Sequence, residues 1–184
     1  MGDVRAPVVG VLALQGDFEA HRGVLRSLGA RVREIRKVGD LEGVDALVLP
    51  GGESTTLTLG IAREGLAGPL VELCSRVPVL GTCAGMIMLD RDHLGVLDMR
   101  CERNAFGRQI RSFEGEVALD GFAEPFHGVF IRAPWVAEHG ASVEVLGSVD
   151  DHPVAVASGR IVAVAFHPEL IGEQRLHRRL LETV

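Results

Sequence analysis

A cysteine between two glycines, and a histidine close to a carboxylate, are the residues of this chain that could do chemistry together. The string Gly-Thr-Cys-Ala-Gly occupies residues 81–85, and His167 and Glu169 follow the apolar run at residues 161–166. A strand-to-helix turn of the form G-x-C-x-G exposes a thiol above a helix N-terminus. A histidine and a carboxylate two residues apart on an extended segment point to the same side. The two strings together predict cysteine-dependent acyl transfer.

Each of these residues has a distinct predicted role. Cys83 is the nucleophile, and the dipole of the helix that follows it favours the thiolate. His167 accepts the thiol proton and later protonates a leaving amine, while Glu169 holds the imidazole tautomer and stabilises the imidazolium. Cys74 and Cys101 have no such surroundings, so we interpret them as small buried hydrophobic residues.

A glycine pair at residues 51 and 52 predicts an oxyanion hole. Pro50 and the two glycines end an apolar run, at the edge where open parallel sheets bind ligands. Glycines let backbone N–H groups approach a substrate oxyanion, so Gly51 and Gly52 are candidate donors, with the N–H of Ala84 as another. The alternative is a simple strand-to-helix turn. The string is not a phosphate-binding P-loop, because no G-x-x-x-x-G-K-[ST] occurs.

The composition excludes several classes of protein. The chain has 184 residues, 47% of them hydrophobic and 24% charged, with a net charge of −6. These values fit one ordinary globular domain over residues 1–184, and the lack of a basic block argues against nucleic-acid binding. The apolar run at residues 8–14 is too short to span a membrane and lacks a signal-peptide pattern, which predicts a cytoplasmic protein. Three cysteines without C-x-x-C spacing, and histidines without paired spacing, predict no metal and no disulfide.

The elements that must position these residues alternate between strand and helix in the first half of the chain. Apolar runs predict strands, and segments of helical period predict helices between them. Ser54 or Thr55 is expected to cap one of these helices. This order predicts an α/β fold of three layers, with a mostly parallel central sheet and helices on both faces, as in flavodoxin-like proteins. The strands are expected at residues 8–14, 30–35, 44–49 and 78–80, and the helices at 17–28, 54–63 and 69–75.

After about residue 98 the pattern changes to short alternating runs separated by Gly, Asp and Pro. These runs predict additional, partly antiparallel strands attached to the same sheet. A helix is expected to close the chain. The strands are expected at residues 115–119, 129–132, 143–148, 154–157 and 160–166, and the helix at 173–182.

Read together, these strings resemble the class I, or triad, glutamine amidotransferases, and among them the glutaminase subunits of pyridoxal phosphate synthase. The cysteine turn and the His-Pro-Glu string are general to the superfamily. Gly-Gly-Glu-Ser-Thr, Arg-Asn-Ala-Phe-Gly-Arg-Gln and Phe-Ile-Arg-Ala-Pro are much more specific. The resemblance covers essentially the whole chain and rests on residues 14–16, 49–56, 81–85, 102–109, 128–134 and 166–169.

The resemblance implies an activity, a site and a partner. Glutamine would be hydrolysed to glutamate and ammonia through a γ-glutamyl thioester on Cys83, without a cofactor. The ammonia would pass to a (β/α)8-barrel synthase subunit that makes pyridoxal phosphate, in an assembly resembling a twelve-plus-twelve complex that activates the glutaminase. Gln15 would lie at the docking face or near the oxyanion loop. The glutamine-binding residues implied by the resemblance are Gly52, Glu53, Ser54, Arg103, Ile131 and Arg132.

Two other functions remain open from the sequence. The chain could be a glutaminase that serves another synthase, such as that of the imidazole-glycerol-phosphate pathway, but the strings around Arg103 and Arg132 argue against this. It could also be a stand-alone cysteine-elbow protein that acts as a stress protein or peptidase. The His-Pro-Glu string argues against the second alternative, since such relatives usually place the histidine differently.

Overall fold

The computed structural model describes residues 5–106 and 112–184. None of the helices in these two ranges is long and apolar enough to cross a membrane. The strands are β1 (Val8–Leu12), β2 (Arg31–Ile35), β3 (Ala46–Leu49), β4 (Val79–Thr82), β5 (Met99–Glu102), β6 (Ser112–Val117), β7 (Phe126–Ile131), β8 (Trp135–His139), β9 (Glu144–Val149), β10 (His152–Ser158) and β11 (Ile161–Val164). The helices are α1 (Phe18–Ser27), α2 (Ser54–Arg63), α3 (Ala67–Cys74), α4 (Ala84–Met88) and α5 (Arg175–Glu182), with 3-10 helices at Val38–Leu41 and Pro168–Ile171.

A seven-stranded sheet forms the centre, in the order β2-β1-β3-β4-β11-β10-β9. The first five strands in this order are parallel, and β10 and β9 extend the sheet in antiparallel pairing. The chain moves from β1 to β2 in one direction and then to β3 and β4 in the other. Because such crossovers are right-handed, this reversal puts helices on both faces of the sheet. The predicted three-layer, flavodoxin-like α/β class is therefore confirmed.

The central strands form because their sequences are apolar on both faces. β1, β3 and β4 are buried along their whole length, as expected for parallel strands covered by helices on both sides. The strands predicted at residues 8–14, 44–49 and 78–80 are confirmed, with ends shifted by one or two residues.

The second half of the chain corrects one prediction. Of the strands after residue 98, β9, β10 and β11 join the central sheet, whereas β6 pairs with β7 and β5 pairs with β8 in separate two-stranded sheets. β6 alternates exposed residues with less exposed ones, and β7 alternates buried residues with more exposed ones, so one face of this ribbon is left outside the core. β5 and β8 were not predicted, because charged residues interrupt the apolar alternation that identifies a strand.

Phenylalanines attach the β6–β7 ribbon to the end of β11. Phe126 and Phe130 of β7 are fully buried and pack on Phe166. Their ring centroids lie 6.1 and 5.6 Å, respectively, from that of Phe166. The backbone N–H of His167 donates to the carbonyl oxygen of Val129 at 2.9 Å. This packing holds the residues after β11 beside the ribbon.

The carboxyl ends of β1, β3, β4 and β11 meet at one edge of the sheet. There the Asp17 N–H donates to the Gly51 carbonyl at 3.1 Å, and the Cys83 N–H donates to the Val164 carbonyl at 2.8 Å. The strand order reverses between β1 and β3, and ligands of open α/β sheets bind at such a switch point. The topology therefore brings the loops that carry the predicted chemistry together.

Candidate active site

Cys83 occupies a strained turn between β4 and α4. Its backbone has φ 48° and ψ −109°, a conformation that residues with a side chain rarely adopt. A Cβ on Gly85 would lie 1.8 Å from the Leu49 carbonyl oxygen, so only glycine lets α4 pack on the end of β3. The Cys83 thiol faces the Ile131 carbonyl oxygen at 3.9 Å. α4 contains five residues, so the dipole that we expected to favour the thiolate comes from little more than one turn.

His167 and Glu169 form a buried hydrogen-bonded pair. The His167 Nδ1–H donates to Glu169 Oε1 at 2.8 Å, and both side chains are almost fully buried. The expected extended geometry is wrong, because Glu169 lies in the first turn of the 3-10 helix Pro168–Ile171. Pro168 begins this turn, since its fixed φ suits a helical first position. The turn still brings the carboxylate to the imidazole, which leaves Nε2 as the nitrogen that can exchange a proton with Cys83.

The electrostatics of the pair favour charged forms. Burial by itself lowers the pKa of His167, but its interactions with Cys83 and with Glu169 raise this pKa to about 10. Burial by itself raises the pKa of Glu169, yet the charges and hydrogen bonds of His21 and His167 hold it well below its usual range. The site therefore keeps Glu169 ionised and stabilises an imidazolium on His167.

A cleft of about 440 Å³ lies above Cys83. All the residues that the resemblance implied for glutamine binding line this cleft, together with Cys83 and Ala84 of the strained turn, or elbow. His167 and Glu169 lie behind Cys83, away from the opening. The lining residues are Gly52, Glu53, Ser54, Cys83, Ala84, Ile87, Arg103, Asn104, Ile131 and Arg132.

The two glycines after β3 have different surroundings. The Gly51 carbonyl accepts from the Asp17 N–H, and the N–H of a trans peptide points away from its carbonyl, so the Gly52 N–H points away from the β1–α1 loop. A Cβ on Gly51 would lie 2.4 Å from His167 Cε1, so this position must stay small to admit the imidazole. Ala84 is the first residue of α4, where an N–H has no partner within its helix. Gly52 and Ala84 remain candidate oxyanion donors, and the Gly51 carbonyl fixes the peptide that carries the Gly52 N–H. The role of the Gly51 N–H as a donor stays a prediction.

The start of α2 differs from the expectation that Ser54 or Thr55 caps it. The Glu53 carboxylate accepts from the N–H groups of Thr55 at 3.0 Å and Thr56 at 2.7 Å. The Ser54 and Thr55 hydroxyls instead accept from Arg103 Nη1 at 3.1 and 3.2 Å. The reason is that the longer Glu53 side chain can fold back over the exposed N–H groups of the first turn.

Arg132 and Asn104 also adopt left-handed backbone conformations in the cleft. Their φ values are 44° and 50°, which is unusual for residues that carry a side chain. Strained residues concentrate at functional sites, and both of these residues line the cleft. Asn104 was missed as a site residue because strain of this kind has no sequence signal at a single position. The neighbouring Gly107, Arg108 and Gln109 of the resemblance lie outside the described residues.

The loop after β1 supplies two more residues near the site. Gln15 Oε1 accepts from the Glu53 N–H at 2.8 Å, which places Gln15 against the glycine loop as expected. Asp17 Oδ2 lies 3.4 Å from His167 Nδ1, and sequence reasoning missed this contact. In the described parts of the chain, Asp17, His167 and Glu169 form the one group with metal-ligand spacing. Since His167 and Glu169 already share a hydrogen bond, pairing of an imidazole with two carboxylates accounts for this group.

Cys74 and Cys101 have surroundings that suppress reactivity. Burial raises the pKa of the Cys74 thiol to about 12, and it raises that of Cys101 as well. A thiol that stays protonated is a poor nucleophile. Their contacts agree with the interpretation that both are apolar packing residues.

Comparison with known proteins identifies the group to which this site belongs. A model of the SNO glutamine amidotransferase family matches residues 11–184. The chain belongs to this family. A pyridoxal 5'-phosphate synthase subunit PdxT of Thermus thermophilus is 50% identical over 95% of this chain and 96% of its own length. One of the same name from Mycolicibacterium vanbaalenii is 48% identical over 94% of this chain and 95% of its own length.

Solved structures agree with the membership in the glutamine amidotransferases. A crystal structure of a glutamine amidotransferase, 45% identical, superposes with a TM-score of 0.89 over 95% of this chain and 97% of its own. A glutamine amidotransferase of Thermotoga maritima superposes with a TM-score of 0.63 at 18% identity, over 97% of this chain and 89% of its own. At that identity the second likeness shows the fold alone.

Proposed function

We propose that this protein is the glutaminase subunit of a pyridoxal 5'-phosphate synthase, with residues 1–184 acting as one glutaminase domain. The observation that carries the proposal is the arrangement of Cys83 at a strained elbow below the cleft, with the His167–Glu169 pair behind it. Relatives 48% and 50% identical over nearly the whole chain are named as subunits of that synthase. Hydrolysis of L-glutamine to L-glutamate and ammonia is the chemistry that this arrangement supports.

The first half of the reaction forms a thioester. The Cys83 thiolate attacks the carboxamide carbon of the glutamine side chain. The carboxamide oxygen becomes an oxyanion that faces the N–H groups of Gly52 and Ala84. His167 holds the proton taken from the thiol, and Glu169 stabilises the resulting imidazolium. His167 then gives this proton to the leaving nitrogen. The C–N bond breaks, ammonia departs, and a γ-glutamyl thioester remains on Cys83.

The second half hydrolyses the thioester. Neutral His167 takes a proton from a water molecule, and the oxygen of that water attacks the thioester carbonyl carbon. The same backbone donors face the second oxyanion. The C–S bond breaks, glutamate leaves, and the proton on His167 restores the imidazolium–thiolate pair. His167 thus acts as base and acid in turn, as its position between Cys83 and Glu169 allows.

Recognition of the amino-acid end of glutamine uses the polar rim of the cleft. A guanidinium binds a carboxylate through two parallel hydrogen bonds, so Arg103 or Arg132 is suited to the α-carboxylate. Arg103 is held by the Ser54 and Thr55 hydroxyls, which fixes the direction of its fork. Gly52, Glu53 and Ile131 complete the rim on either side of Cys83.

The ammonia is delivered to the synthase subunit that makes pyridoxal 5'-phosphate. This partner is a (β/α)8-barrel, the two subunits assemble as twelve plus twelve, and this chain is cytoplasmic. Docking of the partner activates the glutaminase. The loop at Gly51 and Gly52 lies at the carboxyl edge of the sheet, and the orientation of its peptide decides whether the Gly52 N–H is available as an oxyanion donor.

The test is release of glutamate from L-glutamine by this chain alone and in the presence of the pyridoxal phosphate synthase partner. We expect release to rise strongly with the partner. Unchanged hydrolysis in the presence of the partner would assign the glutaminase to another synthase. Absence of hydrolysis under both conditions, with a folded protein, would contradict the glutaminase itself.

A further inference from the structure

A second histidine lies directly behind the triad of Cys83, His167 and Glu169, and the mechanism above does not use it. His21 of α1 is fully buried, and its Nε2 lies 3.4 Å from Glu169 Oε2 and 3.0 Å from the Thr82 hydroxyl. Its Nδ1 lies 2.8 Å from Nε2 of His177, which is also fully buried on α5. The row Cys83, His167, Glu169, His21, His177 therefore runs from the cleft into the protein core.

The far oxygen of Glu169 depends on His21. Oε1 accepts from His167, while Oε2 is buried and has no hydrogen bond of ordinary geometry to any of the described residues. A buried ionised oxygen without a donor is costly, so the nearby His21 Nε2 is its candidate donor. The 3.4 Å separation is slightly longer than an ordinary N–H···O hydrogen bond.

The tautomers of the two histidines follow from their contacts. Burial, and then the charge of His21, lower the pKa of His177 to about 3, so His177 is neutral. If its Nε2 donates to His21 Nδ1, the proton of a neutral His21 must lie on Nε2. If His21 donates from Nδ1 instead, a neutral His21 has a lone pair on Nε2, which can accept from the Thr82 hydroxyl but is repelled by the nearby carboxylate oxygen of Glu169. An N–H on His21 Nε2 removes that repulsion, and it faces both the Thr82 hydroxyl at 3.0 Å and Glu169 Oε2 at 3.4 Å.

We propose that His21 is a positioning residue, whose Nε2–H donates to Glu169 Oε2 and thereby fixes the carboxylate that orients His167. The proposal rests on the proposed glutaminase function. Thr82 supports the ring from β4 and His177 supports it from α5, so elements on separate parts of the chain converge on this one side chain. The other charged or titratable groups that face the row are Asp17 beside His167 and Glu173 near His177.

The test compares two substitutions that differ in one hydrogen bond. His21→Gln keeps an N–H donor toward Glu169, whereas His21→Leu fills similar space without one. Val24→Ala is the matched control, because Val24 is buried on the same helix and its side chain has no hydrogen-bonding group. Each variant is assayed for kcat, KM and the pH profile of kcat/KM with the synthase partner present, and its melting temperature is measured.

We expect His21→Leu to lower kcat by about 10- to 100-fold with little change in KM, the effect of losing one charge-assisted hydrogen bond. The acidic limb of the kcat/KM profile of His21→Leu should move to higher pH, because Glu169 without this donor is protonated more easily. His21→Gln should recover most of kcat and the profile of the wild type. A wild-type profile for His21→Leu, or equal losses in both variants with unshifted profiles, would overturn the proposal.

A second measurement does not depend on glutamine turnover. The rate of Cys83 alkylation by iodoacetamide, followed by mass spectrometry against pH, reports the thiolate that His167 stabilises. We expect His21→Leu to shift this profile to higher pH and Val24→Ala to leave it unchanged. A chain that fails to hydrolyse glutamine but shows this shift would contradict the glutaminase while supporting the role of His21, and an unshifted profile would overturn that role.

Discussion

Single side chains divide the chemistry between attack and orientation. Of the residues in the row, Cys83 alone lines the cleft, so its removal leaves no thiol among the lining residues. We expect Cys83→Ala to abolish ammonia release, and to leave the fold intact because alanine fits the same turn with less bulk. Glutamate release and the far-UV circular dichroism spectrum are the two measurements. Retained activity with a wild-type spectrum would remove Cys83 from the mechanism.

Glu169 is less indispensable than Cys83, because the imidazole has a second carboxylate beside it. Asp17 Oδ2 lies 3.4 Å from His167 Nδ1, although its side chain is 39% exposed and therefore partly solvated. We expect Glu169→Gln to retain measurable hydrolysis, with a loss of roughly 10²- to 10⁴-fold in kcat. Asp17→Asn alone should cost much less.

The double variant Glu169→Gln with Asp17→Asn separates the two carboxylates. The losses in kcat are compared as activation free energies. If Asp17 takes over part of the orienting role, the loss in the double variant exceeds the sum of the losses in the two single variants. Additive losses would mean that Asp17 does not take over the orientation of the His167 imidazole when Glu169 is replaced. A complete loss in Glu169→Gln alone, equal to that of Cys83→Ala, would contradict the division between attack and orientation.

At the scale of elements, the start of α2 links the cleft to folding stability. Hydrogen bonds from the Thr55 N–H, and then from the Thr56 hydroxyl and N–H, lower the pKa of Glu53 from 4.5 to about 2. Because the folded-state pKa is the lower one, the carboxylate contributes stability above pH 4.5 and loses it as the pH falls toward about 2.

We therefore expect Glu53→Gln to lower the melting temperature by a few degrees near neutral pH. The difference from wild type should shrink at about pH 3, where the wild-type carboxylate is losing its advantage. Glu72→Gln is the control, since Glu72 is an exposed residue of α3 whose ion pair with Arg76 is worth little. A difference for Glu53→Gln that stays the same at both pH values would show that the charge of the cap does not matter.

Elements with strong apolar patterns could be predicted, and those that depend on distant contacts could not. β1, β3 and β4 are continuous apolar runs, so their positions follow from the sequence. β5 pairs with β8 across more than thirty intervening residues, and neither is apolar enough to identify alone. Cys83, His167 and Glu169 lie in strings with recognisable spacing. Asp17 caps an ordinary amphipathic helix and His21 lies on it. Only the fold brings Asp17 to His167 and His21 to Glu169.

At the scale of the whole molecule, glutamine binding should stabilise the sheet edge as a unit. Loops that follow β1, β3, β4 and β11 are joined there by hydrogen bonds and line or support a single cleft. A ligand that binds only the folded state stabilises it according to its concentration and affinity, by about 2.7 kcal/mol at one hundred times Kd. For a chain of this length we expect a rise of roughly 5 to 11 °C in the melting temperature.

The measurement is thermal unfolding of Cys83→Ala in increasing L-glutamine, since this variant can bind substrate without consuming it. Cys83→Ala combined with Arg103→Met is the matched control, because it keeps much of the side-chain volume of Arg103 and removes the charge expected to pair with the α-carboxylate. We expect the rise in melting temperature to be large in the single variant and much smaller in the double variant. An equal rise in both would exclude Arg103 from the glutamine site. Absence of any rise in the single variant at saturating glutamine would mean that the cleft above residue 83 does not bind glutamine in the isolated chain, and would leave substrate binding to the assembled complex.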